Sequence, residues 1–147
     1  MTIISIIKLN GMEHELTFRP LKEEDYKIIC EWWRWWMGIV VDKDFLPENG
    51  VGGYMIEKNK KPIACGFTYE TNSKVTWLAW VTSNPGYKYE DRGFIIKSLI
   101  ENIEKVCKQN GYEYVFTACQ NKHLIKMHEE LGWSNSKNPS YEIIKKL

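Results

Sequence analysis

The sequence predicts an α/β (α+β) fold with a mixed, mostly antiparallel central sheet and helices on both faces. Three runs rich in β-formers, residues 54–57, 62–70 and 75–82, are separated by short polar turns and read as consecutive antiparallel strands. The last of them is followed by a long amphipathic stretch, residues 92–110, and a further strand, 112–119. That strand–helix–strand order implies a parallel crossover. Residues 121–133 read as a short helix with Leu124, Ile125, Met127 and Leu131 near one face. Asn121 stands at its N-cap and Gly132 at the left-handed residue beyond its end.

Along the chain, Ile3–Leu9 is rich in β-branched residues, and Asn10-Gly11 separates it from a second alternating run, 13–19. Asn-Gly between two such runs predicts a hairpin. Residues 1–12 then form an extra N-terminal strand and turn on one domain spanning 1–147. Pro20 ends the second strand, and the acids at 23–25 open a helix as its dipole prefers. Tyr26, Ile29, Cys30 and Trp33 form its apolar stripe. Trp32, Trp33, Trp35 and Trp36 follow at about 100° per residue, so they cannot all face one core. Residues 42–50 read as loop and 58–61 as a polar turn, while 83–86 (Ser-Asn-Pro-Gly) break the third antiparallel strand. In the long helix Ile95, Ile96, Leu99, Ile100, Ile103, Val106 and Cys107 recur on one face, and Gly111 closes it. The 112–119 strand is expected to be buried and central, and residues 141–144 to add a last strand.

Net charge is +1, which argues against nucleic acid and against an acidic membrane surface. The apolar start, residues 1–8, is too short to span a bilayer or to act as a signal segment. A soluble, cytoplasmic protein is expected. Four cysteines without a C-x-x-C pair read as buried small hydrophobes in a reducing compartment rather than as a zinc site or reactive thiol. His123, His128 and Glu129 lack the spacing of a helical metal site, so no metal is expected. Aromatics make up 14% of the chain, with seven tryptophans. That is more than one small core hides, so some should line a cleft or an interface.

The element order, the Leu16-Thr-Phe-Arg-Pro-Leu-Lys-Glu-Glu-Asp25 entry, the 78–111 strand–loop–helix and the Asn121-to-Trp133 segment together resemble the GNAT superfamily of N-acetyltransferases. That resemblance implies a V-shaped splay between the two parallel strands, opened by a bulge. It implies acetyl-CoA as co-substrate, with its pantetheine arm on the backbone of Trp80, Val81 and Thr82. The pyrophosphate would lie on the helix start at Arg92, Gly93, Phe94 and Ile95, where amides and dipole favour an anion. Asn121 matches the asparagine beside the pantetheine, and His128 takes the place of the tyrosine that protonates the leaving thiolate. The acceptor, a small-molecule or protein amine, would attack the thioester directly, with Trp32, Trp33, Trp35 and Trp36 walling its cleft or meeting a second copy or a protein partner. Glu57 and Glu70 are the acids on strands flanking that cleft.

The phosphate loop departs from the family pattern of Arg or Gln, two residues, Gly, one residue, then Gly or Ala. Here it reads Tyr89-Glu90-Asp91-Arg92-Gly93-Phe94. Missing glycine restricts backbone approach to phosphate, and two acids oppose an anion. Divergent loops of this kind resemble those of GNAT-like proteins of tailed phages and bacteria, which share the Leu46-Pro47…Gly50 and Ser83-Asn84-Pro85 arrangement. Two functions therefore stand. One is an acetyl-CoA-dependent N-acetyltransferase with a degenerate loop. The other is a catalytically silent binding or assembly module, phage-encoded and placed in the host cytoplasm or virion.

Overall fold

The structure, a computed structural model, describes residues Met1–Leu147. Its elements are β1 (Ile3–Leu9), β2 (Met12–Pro20), α1 (Asp25–Met37), β3 (Gly53–Lys58), β4 (Lys61–Tyr69), β5 (Val75–Ser83), α2 (Arg92–Gln109), β6 (Tyr114–Thr117) and α3 (Lys122–Glu130). The six strands form one sheet in sequence order. All neighbours are antiparallel except β5 and β6, which are parallel across α2, as the crossover predicts.

Local chemistry sets the turns. Asn10 and Gly11 take φ 52° and 75° between paired Leu9 and Met12, the two left-handed residues that match a tight hairpin to strand twist. Asn59 and Lys60 do the same between Lys58 and Lys61.

Alternation along the strands divides the interior. Leu16, Phe18, Ile56, Ile63, Ala64 and Leu78 face α2, whose Ile95, Leu99, Ile100 and Ile103 are fully buried, and α3 joins that layer through Leu124, Met127 and Leu131. Met55, Cys65 and Phe67 face the other way, onto Ile29, Cys30, Trp32 and Trp33 of α1. Helices thus cover both faces, as expected. The start of α1 is pinned by Arg19, whose guanidinium donates to both oxygens of Asp25 at 2.8 and 2.9 Å and to Glu57 at 3.3 Å.

Two expectations are corrected. The 112–119 strand is not central: β6 is four residues long and forms the sheet edge, with Tyr114 and Phe116 exposed. Residues 141–144 form no strand, and Tyr141, Ile143 and Ile144 face solvent. The run Tyr141-Glu142-Ile143-Ile144 has β-forming composition, but no turn joins it to β6 as Asn10-Gly11 joins β1 to β2, and its apolar side chains stay in solvent. No helix is long and apolar enough to cross a membrane.

Candidate active site

Pairing between β5 and β6 runs from Val75–Tyr114 to Leu78–Thr117 and stops there, although β5 continues to Ser83. The hydroxyl of Thr117 donates to the Leu78 carbonyl at 2.7 Å, closing the last rung. Beyond it β5 is bulged. Cys65 pairs with Thr82 and Phe67 with Ala79, so β5 spends one residue more than β4 over this interval. Trp80 carries the distortion at φ 58°, a left-handed conformation rare for a non-glycine. The result is the V-shaped opening, and Trp80, Val81 and Thr82 lie on its β5 wall. The Thr82 hydroxyl is buried without a partner.

Helix α1 braces this wall. Trp33 donates its indole N–H to the Trp80 carbonyl at 3.4 Å and Trp36 donates to the Ser83 carbonyl at 2.7 Å. Trp32 and Trp33 are buried, whereas Trp35 is 68% and Trp36 46% exposed. The angular expectation for the four rings therefore holds. Trp80 sends its own indole N–H to the Tyr69 hydroxyl at 2.7 Å, and that hydroxyl donates to the Phe45 carbonyl.

At the mouth of the opening α2 begins. Arg92 N–H bonds to Tyr89 and Ile95 N–H to Asp91, but the amides of Gly93 and Phe94 donate to no protein acceptor. Unpaired amides at a helix start attract an anion. The acid feared at this loop is neutralised: Asp91 accepts from Lys58 Nζ at 2.7 Å and from the Tyr87 hydroxyl at 2.6 Å. Burial pushes the Asp91 carboxyl up, yet the bonds from Lys58 and Tyr87 outweigh it and hold the group below its ordinary value. Arg92 bonds the Tyr87 carbonyl at 3.3 Å and lies 5.4 Å from the Trp36 ring centre.

On α3, Asn121 caps the helix by accepting the Leu124 amide at 3.0 Å. His128 is buried, its Nδ1 donating to the Leu124 carbonyl at 2.7 Å, and its ring stands edge-to-face against Trp133 at 4.6 Å. Nε2 has no partner. Burial lowers the His128 pKa more than the Leu124 bond raises it, so the ring is neutral at pH 7 with its proton on Nδ1. Nε2 is therefore an acceptor.

Of the acids considered, Glu57 is engaged by Arg19 and Glu70 is exposed at the end of β4. Cys65 and Cys107 are buried, and burial raises both thiols, Cys107 to about 11. They are inert packing groups.

Two clefts flank β5. A polar one of about 380 Å³ lies between Thr71, Lys74 and Tyr112, at the N-terminal ends of β5 and β6. That cleft lies at the opposite end of the parallel pair from the V-shaped opening. The other, about 350 Å³, is lined by Tyr69, Trp77, Ala79 and Trp80 and leads to the bulge. Tyr69 and Trp77, like Lys58 and Tyr87 at the phosphate loop, carried no sequence signal. Period-2 alternation places Trp77 with Ala79 on one face without saying what covers it.

The model of the acetyltransferase (GNAT) family matches residues 9–133. No curated protein matches the sequence. Among solved structures, an acetyltransferase of Trypanosoma brucei aligns over 88% of this chain and 99% of its own, at 15% identity and TM-score 0.61. The N-acetylglutamate synthase of Neisseria gonorrhoeae, complexed with coenzyme A and L-arginine, aligns over 85% of this chain and 29% of its own, at 14% identity and TM-score 0.66. AAC(6')-Iy, bound to a bisubstrate analogue of CoA and acetylneamine, aligns over 89% and 99%, at 12% identity and TM-score 0.63. At these identities the likeness is one of fold.

Proposed function

The chain belongs to the acetyltransferase (GNAT) family, and on that premise we propose that it transfers an acetyl group from acetyl-CoA to a primary amine in the cytoplasm. The observation that carries the proposal is the opening between β5 and β6, where pairing ends at Leu78 while a bulged β5 continues to Ser83. An extended thioester arm fits such a gap, because strand backbone beyond the last rung lacks a strand partner on that side.

The donor supplies an activated acyl group. The amine nitrogen bonds to the thioester carbonyl carbon as the C–S bond breaks. The ammonium's proton is lost and the departing thiolate gains one. The chain's share is to bind and orient. The amides of Gly93 and Phe94, with Arg92 beside them, hold the pyrophosphate. Trp80, Val81 and Thr82 hold the arm in register, and Asn121 starts the helix that carries His128. Holding both reactants in line supplies most of the advantage of direct transfer. His128, carried on that helix toward the leaving sulfur, can accept a hydrogen bond at its buried neutral Nε2 but has no proton there to give, so the thiolate takes its proton from solvent.

Calorimetry and thermal shift with acetyl-CoA and with CoA test this. Ligand at a hundredfold above Kd should stabilise the protein by about 2.7 kcal/mol. No binding at millimolar ligand would reject it. In that event a silent module, meeting a protein partner or second copy through exposed Trp35, becomes the better account.

A further inference from the structure

We propose that the groove of Tyr69, Trp77, Ala79 and Trp80 is the acceptor subsite and takes a primary amine borne on a flat apolar ring, in preference to a polyamine or an amino sugar; this rests on the acetyltransferase reading. The four side chains share the α1 face of the sheet, because Tyr69 pairs with Trp77 and Phe67 with Ala79, and Phe67 packs under α1. Trp80, at the bulge, is both the end of this groove and a wall of the V-shaped opening. A group seated here therefore points toward the site of acyl transfer.

The lining decides the chemistry. All four residues present apolar surface, and the open groove of about 350 Å³ offers a face on which one ring can lie. Its two polar atoms are already spent: the Trp80 indole N–H is donated to the Tyr69 hydroxyl, which donates onward to the Phe45 carbonyl. A sugar hydroxyl would exchange water for no partner, an unfavourable trade. No carboxylate lines the groove. On the same face Asp25 and Glu57 are committed to Arg19, so the second ammonium of a polyamine finds no partner within the groove itself. A single ammonium gains from the faces of Trp77 and Trp80 by cation–π attraction. Trp77 is held for stacking by Phe116 of β6, at a ring-centre distance of 4.2 Å.

The test compares 2-phenylethylamine, spermidine and glucosamine. Initial rates are read as free thiol released from acetyl-CoA, and amine binding is read by calorimetry with and without CoA. Trp77 is 41% exposed, so Trp77→Ala should fold, which its thermal midpoint checks. The expected result is kcat/KM for 2-phenylethylamine at least tenfold above the other two. In Trp77→Ala its KM should rise about tenfold, with CoA affinity unchanged. Preference for spermidine or glucosamine, equal rates on all three, or an unchanged KM in Trp77→Ala overturns the proposal. Failure of CoA to bind sinks the acetyltransferase reading instead. The groove is then judged by direct binding of 2-phenylethylamine: about tenfold loss in Trp77→Ala upholds it as an amine site, and absent binding or no loss overturns it.

Discussion

Trp36 of α1 donates its indole N–H to the carbonyl of Ser83, the last residue of β5, at 2.7 Å, while Arg92 of α2 stacks on the same ring. One side chain thus ties together the helix, the bulged strand and the start of α2. Trp36→Phe keeps a ring for Arg92 and loses the hydrogen bond, so it should cost about 1 kcal/mol in urea unfolding. Trp35→Ala removes a ring that is mostly in solvent and should stay within about 0.5 kcal/mol of the parent. Equal losses in the two variants would show that the bond to Ser83 holds nothing.

A second expectation concerns Arg19 and Asp25. Burial pushes the Asp25 carboxyl up, but the bonds from Arg19 and from the Lys22 amide, with the charge of Arg19, hold it below its ordinary 3.8. A depressed folded value means stability present above the unfolded value and lost as pH falls from about 4 through the folded value. Breaking such a pair from one side leaves a buried guanidinium short of its partner. Asp25→Asn should therefore cost about 3–5 kcal/mol at pH 7 and show a smaller further loss in acid than the parent. Denaturant unfolding at pH 7 and pH 3 measures both, and an acid loss undiminished in the variant would contradict the assignment.

How far the sequence reached can be traced through particular residues. Asn10-Gly11 announced its hairpin because few dipeptides accept two left-handed residues, and the helix faces of 95–107 and 124–131 followed from spacing alone. The parallel crossover followed from element order. What failed was the placement of β6, since Tyr114-Val115-Phe116-Thr117 has the composition of a buried strand whether it lies centrally or at an edge. The bulge also left no local trace: Trp80 is a β-former adopting the φ expected of glycine, and tertiary contacts from Trp33 and Tyr69 hold it there. Which acids were free was equally hidden, because Glu57 is answered by Arg19 and Asp91 by Lys58, each distant in sequence.

His128 gives a pH signature. Burial lowers its folded pKa below the ordinary 6.5, with the Leu124 bond opposing more weakly. The unfolded chain then binds the proton more readily, so stability is complete above about 6.5 and falls as pH drops through the folded value. Imidazole proton shifts in NMR should titrate below 6.5 for His128. In His128→Phe the stability slope between pH 7 and 5 should flatten. If His128 also serves the leaving sulfur, that variant loses kcat more than it changes KM. A titration midpoint above 6.5 would contradict the buried neutral ring.

The phosphate loop offers the most direct test of electrostatics at the helix start. Asp91 and Lys58 form a neutral pair with Tyr87 at the N-cap of α2, beside the free amides of Gly93 and Phe94. Asp91→Asn removes the negative member and leaves the ammonium of Lys58 uncompensated within a few ångströms. At low salt this should strengthen CoA binding, by up to about tenfold, because an uncompensated unit charge about 4 Å from an anion contributes on the order of 1 kcal/mol even at the dielectric of water. The gain should shrink as salt rises, since screening acts within about 10 Å at 0.1 M. Glu90→Gln, at an exposed position with no ion-pair partner, should change affinity far less. Calorimetry with CoA at low and high salt reads all three proteins. Weaker binding in Asp91→Asn, with the fold intact by thermal midpoint, would mean that Asp91 positions the loop for phosphate rather than opposing it.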